Sequence, residues 1–256
     1  AYKEQGVNID MIIYQNEAYS YTPYPGCAWT AEGTVRFNKE YLAPTLKQKH
    51  PDVKLYLGTF NTNRQDHVEK ILSDAGLRDC IDGIAFQWEG REILPHIRKQ
   101  YPGFHYICSE SECGNGSMDW KAGEHTFFLI GDNVGNGCDE WFNWNFLLPD
   151  HGTSPWGWNQ NALIQLDSQT RKFRYTAEYY AVKHFSHYVA PGSEMIGYSP
   201  RTNGNTPVVV YRTPEKQYVV IAGNFNDAEK TVSVKIGKKY LNARMPAHSF
   251  NTYLVK

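Results

Sequence analysis

The residues of this chain best suited to chemistry are glutamates that close strand-like segments. Glu17 ends an apolar run within Tyr14-Gln15-Asn16-Glu17, and Glu110 ends another within Ile107-Cys108-Ser109-Glu110. Glu112 follows two residues later and shares a face with Glu110 in an extended chain. Two carboxyl groups at one mouth are the minimum equipment for glycoside hydrolysis. Held about 5–5.5 Å apart, one attacks the anomeric carbon while the other protonates the leaving oxygen. An ionised nucleophile raises the pKa of the acid beside it and stops doing so once it is esterified by the sugar. Spacing alone is weak support, because glutamates at strand ends are common.

The elements that must position these groups are legible in the hydrophobic pattern. Apolar runs over 11–17, 53–60, 81–88, 104–110 and 138–146 read as strands. Helix-spaced apolar residues mark 33–50, 64–75, 91–100, 118–134 and 174–189. Gly76 is the predicted stop of the second helix and Ser117 the predicted cap of the fourth. The alternation of strand and helix up to residue 190 is the pattern of parallel βα units, whose chemistry gathers at the C-terminal ends of the strands. Beyond Pro191-Gly192 the character changes to short β-branched runs, such as Val208-Val209-Val210 and Val219-Val220-Ile221, separated by turns. This predicts a catalytic α/β portion over 1–190 and a small antiparallel β-sandwich over 191–256.

Composition narrows the function. With 256 residues, 41% hydrophobic and 21% charged, the chain is long and apolar enough for a real core. Twenty-six Lys and Arg against 27 Asp and Glu leave no basic excess for a phosphate backbone, so nucleic acid is not an expected partner. No apolar run approaches the roughly 18 residues of a membrane span. No phosphate-binding glycine loop and no HExxH or CxxC occurs, and no metal or cofactor is expected. The five cysteines are too few for a disulfide-stapled scaffold. Cys108 and Cys113 flank Glu110 without a His/Asn constellation to activate a thiol, so packing is the expected role, and a disulfide between them has no support. Asn115-Gly116-Ser117 is a glycosylation sequon whose nearness to Glu110 argues against a glycan, and His184 and His187 read as packing or surface residues.

The aromatic content, with seven Trp and 18 Tyr, suits stacking on sugar faces. Trp144 is the leading platform candidate, followed by Trp88, Trp156 and Trp158. For Tyr19, Tyr21, Trp29 and Trp141 packing is the expected role.

Several stretches together resemble glycoside hydrolase family 30, the group that includes glucosylceramidases, β-glucanases and xylanases. They are Gln15-Asn16-Glu17, Ile81-Asp82-Gly83-Ile84-Ala85, Ser109-Glu110-Ser111-Glu112-Cys113-Gly114, Trp141-Phe142-Asn143-Trp144-Asn145, Tyr180 to Ser186, and Pro246-Ala247-His248-Ser249-Phe250-Asn251-Thr252. The resemblance implies a (β/α)8 TIM-type barrel flanked by a β-sandwich, with strands four to eight of the barrel visible here. It implies Glu17 as acid/base, Glu110 as nucleophile, Asn16 as a ligand of the sugar 2-hydroxyl, and Trp88, Trp144 and Asn145 at the sugar-binding mouth. Glu112 is the competing nucleophile.

Departures from the family pattern carry their own expectations. Ala18 stands where Pro is usual, and Gln87-Trp88-Glu89 stands where His-Trp-Tyr is usual, which alters the hydrogen-bond donors near the nucleophile and the preferred sugar. A five-strand arc would expose two edges and an apolar interior, so a partner chain or an N-terminal half is expected to complete it. The expected activity is retaining hydrolysis of a β-linked glucan, xylan or related glycan. The alternative is a carbohydrate-binding or inactive fragment; among enzymes, an exo-acting β-glucosidase or β-xylosidase stands beside an endo-β-1,6-glucanase. A polymer substrate would place the protein outside the cell or in the periplasm.

Overall fold

Apolar runs without polar alternation, such as Leu55-Tyr56-Leu57 and Ile84-Ala85-Phe86, are what a sheet covered on both faces requires. In the computed structural model, which describes residues 1–20, 22 and 24–255, they form such a sheet. Its strands are β1 (Met11–Ile13), β2 (Lys54–Phe60), β3 (Gly83–Gln87), β4 (His105–Glu110) and β5 (Glu140–Trp141), all parallel and adjacent in chain order. They belong to the first of two compact units, Ala1–Glu112 with Asn136–Asn143.

Helices supply the cover for one face. α1 (Ala31–Arg36), a π-helical segment (Phe37–Leu42) and α2 (Ala43–Lys49) run on without a break, followed by α3 (Gln65–Leu72), α4 (Ala75–Arg78) and α5 (Leu94–Gln100). Leu55, Leu57, Ile84, Phe86, Tyr106 and Cys108 point to this side and pack with Val68, Ile71, Leu72, Leu77, Leu94 and Ile97. The alternate residues Tyr56, Ala85 and Ile107 form the core of the opposite face with Met11 and Ile13. The period of two thus divides each strand between two cores.

The second unit, Cys113–Gly135 with Trp144–Lys256, holds α6 (Trp120–Gly135), a small sheet of β6 (Leu147–Pro149), β7 (Ile164–Leu166) and β8 (Phe173–Tyr175), and α7 (Ala177–Ser186). α6 and α7 approach closely at Gly123, where a Cβ would lie 2.6 Å from the Cβ of Ala177. The sandwich follows: β9 (Glu194–Ser199), β10 (Val208–Arg212), β11 (Tyr218–Asn224), β12 (Lys230–Ile236), β13 (Lys239–Met245) and β14 (Ser249–Val255). One sheet has the order β14-β11-β10-β9 and the hairpin β12-β13 forms the other. Val208, Val210, Val220, Ala222 and Met245 fill the space between them with Val232 and Val234. Val209 lies beside Gly131 of α6 instead, and Phe127 of α6 stacks on Phe250 of β14 at 5.0 Å. The run Val208-Val209-Val210 therefore serves two cores, as do the runs of the parallel sheet.

The departures from the sequence reading have local causes. The strand expected over 11–17 ends at Ile13, because the chain bends to bring the Glu17 amide onto Thr59 Oγ1 at 2.9 Å. Gly76 does not stop α3; Asp74 Oδ1 accepts from Leu77 N at 2.7 Å and starts α4 around it. Asp119, not Ser117, caps α6, accepting from Ala122 N at 2.9 Å. The strand expected over 138–146 shrinks to Glu140–Trp141, its ladder with β4 extended by Asp139, whose amide donates to the Tyr106 carbonyl at 2.7 Å, and by Phe142, whose amide donates to the Cys108 carbonyl at 2.9 Å. α7 begins at Ala177 because Thr176 caps it and 173–175 pair as β8. No helix among the described residues is long and apolar enough to cross a membrane.

Candidate active site

β3 organises the candidate site, because its last residue and the one after it each hold a glutamate from a different element. A register shift between Phe86 and Gln87 sets Gln87 opposite Glu110, where regular pairing would have set it opposite Ser109. Gln87 is almost wholly buried, at 1% exposure, and its Nε2 donates to Glu17 Oε1 at 3.0 Å and to Asn16 Oδ1 at 3.4 Å. Its Oε1 accepts from Ser109 Oγ at 3.3 Å. The next residue, Trp88, donates from Nε1 to Glu110 Oε1 at 3.0 Å. Glu17 and Glu110 are thus tied to consecutive residues of one strand end, and both are buried.

The backbone at these positions is unusual. Glu17 has φ 46° and Trp88 has φ 50°, left-handed values that side-chain-bearing residues seldom adopt. Such strained residues persist where the surroundings hold them, and they concentrate at functional sites. Here the holding contacts are the Glu17 amide to Thr59 Oγ1 and the Trp88 indole to Glu110. Asn16 is exposed next to Glu17, with Oδ1 within 3.5 Å of Thr59 Oγ1.

The two carboxyls differ in their donors. Glu17 accepts on both oxygens, Oε1 from Gln87 and Oε2 from Tyr24 Oη at 2.5 Å. Burial raises the Tyr24 phenol, and the hydrogen bond to Glu17 raises it further, so it stays protonated. Glu110 is pushed up to about 7, mainly by burial and also by the charge of Glu17, while the Trp88 hydrogen bond opposes the rise. This raised proton affinity falls on the residue expected to be the nucleophile. Burial is the leading cause, against which the Trp88 hydrogen bond works.

The other expected site residues have definite places. Trp144, Asn145, Trp156 and Trp158 belong to the second unit. Trp144 and Trp156 are exposed and Trp158 is half-buried, while Asn145 Nδ2 donates to the Asn161 carbonyl at 2.9 Å. Tyr19 stacks on Phe60 at 6.0 Å, Trp29 meets Tyr14 edge-on at 5.3 Å, and Trp141 packs on the helix-side core. Tyr21 lies outside the described residues. Glu112 is half-buried. All five cysteines are free thiols, and burial raises Cys108 to about 12. Asn115 is exposed, its Oδ1 accepting from the Ser117 amide at 3.0 Å. His184 is partly buried against Thr252, with Nδ1 and Oγ1 2.7 Å apart, and its pKa is lowered by that burial.

Sequence reasoning missed Tyr24, Thr59 and the role of Gln87. Gln87 was expected to alter the donors near the nucleophile; its amide instead serves Glu17. The only sequence signal for Tyr24 was the density of tyrosine in the loop after β1.

Comparison with known proteins follows the same lines. The family model for the glycosyl hydrolase family 30 TIM-barrel domain matches residues 1–189, and that for the glycosyl hydrolase family 30 beta sandwich domain matches residues 192–253. The chain is 24% identical to lysosomal acid glucosylceramidase of Mus musculus, covering 99% of this chain and 53% of the relative. Among solved structures, SrfJ from Salmonella typhimurium superposes with a TM-score of 0.88 at 24% identity, over 99% of this chain and 59% of the other. The endo-beta1,6-glucanase BT3312 superposes at 0.86 and 21% identity, over 99% and 60%. The chain spans about half the length of the curated relatives it matches.

Proposed function

The chain belongs to glycosyl hydrolase family 30, and we propose that it carries the acid/base and nucleophile of a retaining β-glycoside hydrolase. The observation that carries this reading is the pairing of Glu17 and Glu110 with the consecutive residues Gln87 and Trp88 at one strand end. In the first step Glu110 attacks the anomeric carbon while Glu17 protonates the departing oxygen. In the second, Glu17 takes a proton from water, which displaces Glu110 from the glycosyl ester. Asn16, exposed beside Glu17, is the residue to hold the sugar 2-hydroxyl, and Trp144, Asn145, Trp88, Trp156 and Trp158 are candidates for contacts with the glycan. The substrate is a β-linked glucoside, glucan, xylan or related glycan, in keeping with relatives named as a glucosylceramidase, a β-1,6-glucanase and xylanases.

Intact mass and peptide mapping after incubation with 2-deoxy-2-fluoro glycosyl inactivators, in gluco, xylo and galacto forms, test the reading. One adduct on the Glu110 peptide is expected, and the sugar that labels fastest identifies the preferred glycone. An adduct on Glu112 keeps the mechanism and moves the nucleophile. No adduct from any sugar overturns the reading in favour of a chain that binds glycan without cleaving it.

A further inference from the structure

The two oxygens of Glu17 face different kinds of donor. Oε1 faces the amide of Gln87, whose orientation is set by its surroundings. Its Nε2 lies between two acceptors, Glu17 Oε1 and Asn16 Oδ1, and its Oε1 faces the Ser109 hydroxyl. Turning the amide over would set its oxygen against a carboxylate and a carbonyl oxygen, in a place with 1% exposure. Oε1 of Glu17 therefore meets an N–H, from which it can only accept. Oε2 faces the Tyr24 hydroxyl at 2.5 Å, and a hydroxyl donates or accepts by rotation about one bond.

We propose that Tyr24 is a positioning residue that confines the acid/base proton of Glu17 to Oε2. The proposal rests on the assignment of Glu17 as acid/base. With Glu17 protonated, the Oε2 hydroxyl is donated to Tyr24 Oη until a leaving oxygen takes its place as acceptor. Once the proton has left, the Tyr24 hydroxyl turns and donates to the charged Oε2, holding that oxygen in place for the proton it next takes from water. Tyr24 neither gains nor loses a proton, and Glu17 leaves the two-step cycle as it entered. Gln87 performs no such reversal; it holds the other oxygen in its acceptor role throughout.

Tyr24→Phe tests this in the protein, with its melting temperature checked against the parent. Removing a donor to the ionised form moves up, by about one pH unit for an unactivated glycoside, the limb of kcat/KM that reports Glu17, distinct from the one near pH 7 that labelling assigns to Glu110. For a dinitrophenyl glycoside, whose departure needs no proton, the burst that reports glycosylation stays unchanged. Its steady-state kcat, limited by deglycosylation, falls about tenfold. Labelling of Glu110 by a 2-fluoro glycosyl fluoride is also unchanged. An unmoved limb, or burst and turnover falling together, overturns the proposal while labelling of the parent protein leaves the hydrolase reading intact. Absence of labelling in the parent overturns the reading beneath it. Gln87→Leu is the companion variant: it removes the donor on Oε1 and raises the same limb. A limb that moves in Gln87→Leu but not in Tyr24→Phe assigns control of Glu17 to Gln87 and likewise overturns the proposal.

Discussion

Glu17 and Glu110 are both buried, and the charge of Glu17 bears on Glu110. Glu110 is held up to about 7 by burial and by Glu17, so its native form binds more protons than the unfolded form, with its ordinary value of 4.5, across the interval between them. Stability attributable to Glu110 therefore falls as pH rises from 4.5 to about 7. Glu110→Gln keeps the acceptor for Trp88 and removes the buried charge. It is expected to raise stability at pH 8 by up to about 3 kcal/mol and to give no gain below pH 4.5, as denaturant titrations at the two pH values will read. The same shift has a kinetic face. A fluoroglycoside is attacked only by ionised Glu110, so the labelling rate should climb through pH about 7, and Glu17→Gln should move that midpoint downward by removing the neighbouring charge. Glu17→Ala should slow glycosides with poor leaving groups by about 10²–10⁴-fold and activated aryl glycosides far less in the glycosylation step. Equal losses on both would deny it the role of acid.

At the scale of the element, the caps explain where the sequence reading was right in kind and displaced in detail. The expected helix over 174–189 exists, but Thr176 decides its start. Thr176 is fully buried, accepts from Tyr179 N at 3.4 Å, and donates to the carbonyls of Ala162 at 2.9 Å and Leu163 at 3.1 Å. It thus joins α7 to the chain that precedes β7. Thr176→Ala takes the hydroxyl from the Ala162 carbonyl and the cap from the helix amide, while Leu163 keeps the Thr176 amide, and a loss of about 1–2 kcal/mol by thermal or chemical unfolding is expected. The parallel strands were legible because a sheet buried on both faces needs unbroken apolar runs. The aromatic stretch Trp141-Phe142-Asn143-Trp144 also mimics a strand, yet only Glu140–Trp141 pair as β5, and the chain passes into the second unit at Trp144. Periodicity reports which side chains alternate, not which backbone groups find partners.

At the scale of the whole molecule, contacts between distant residues set the response to pH. His248 lies 2.8 Å from Glu124 Oε1 through Nδ1 and 2.8 Å from Asp227 Oδ1 through Nε2, tying α6 to two loops of the sandwich. The hydrogen bond to Glu124, and after it the one to Asp227, raises its pKa above the ordinary 6.5. Stability from this clamp is fully present below pH 6.5 and is lost as pH rises through the higher native value. His248→Gln should flatten that part of the profile, measured as the melting temperature between pH 5 and 9. The effect of Glu110 runs in the same direction, so mildly acidic solution should favour the native protein on both counts.

The sequence by itself determined the kind of fold, βα units followed by a β-sandwich, and singled out the two glutamates for attention. These are local properties: residue types, their period, and positions at the ends of runs. It did not determine the donors around those glutamates. Tyr24 is seven residues from Glu17, Thr59 is 42 away and Gln87 is 70 away. Which of them reaches an oxygen depends on a bend at Glu17, a one-residue shift between β3 and β4, and the direction of a buried amide. The tertiary structure alone decided these, because hydrogen bonds act over about 3 Å and burial removes the water that would otherwise satisfy each group.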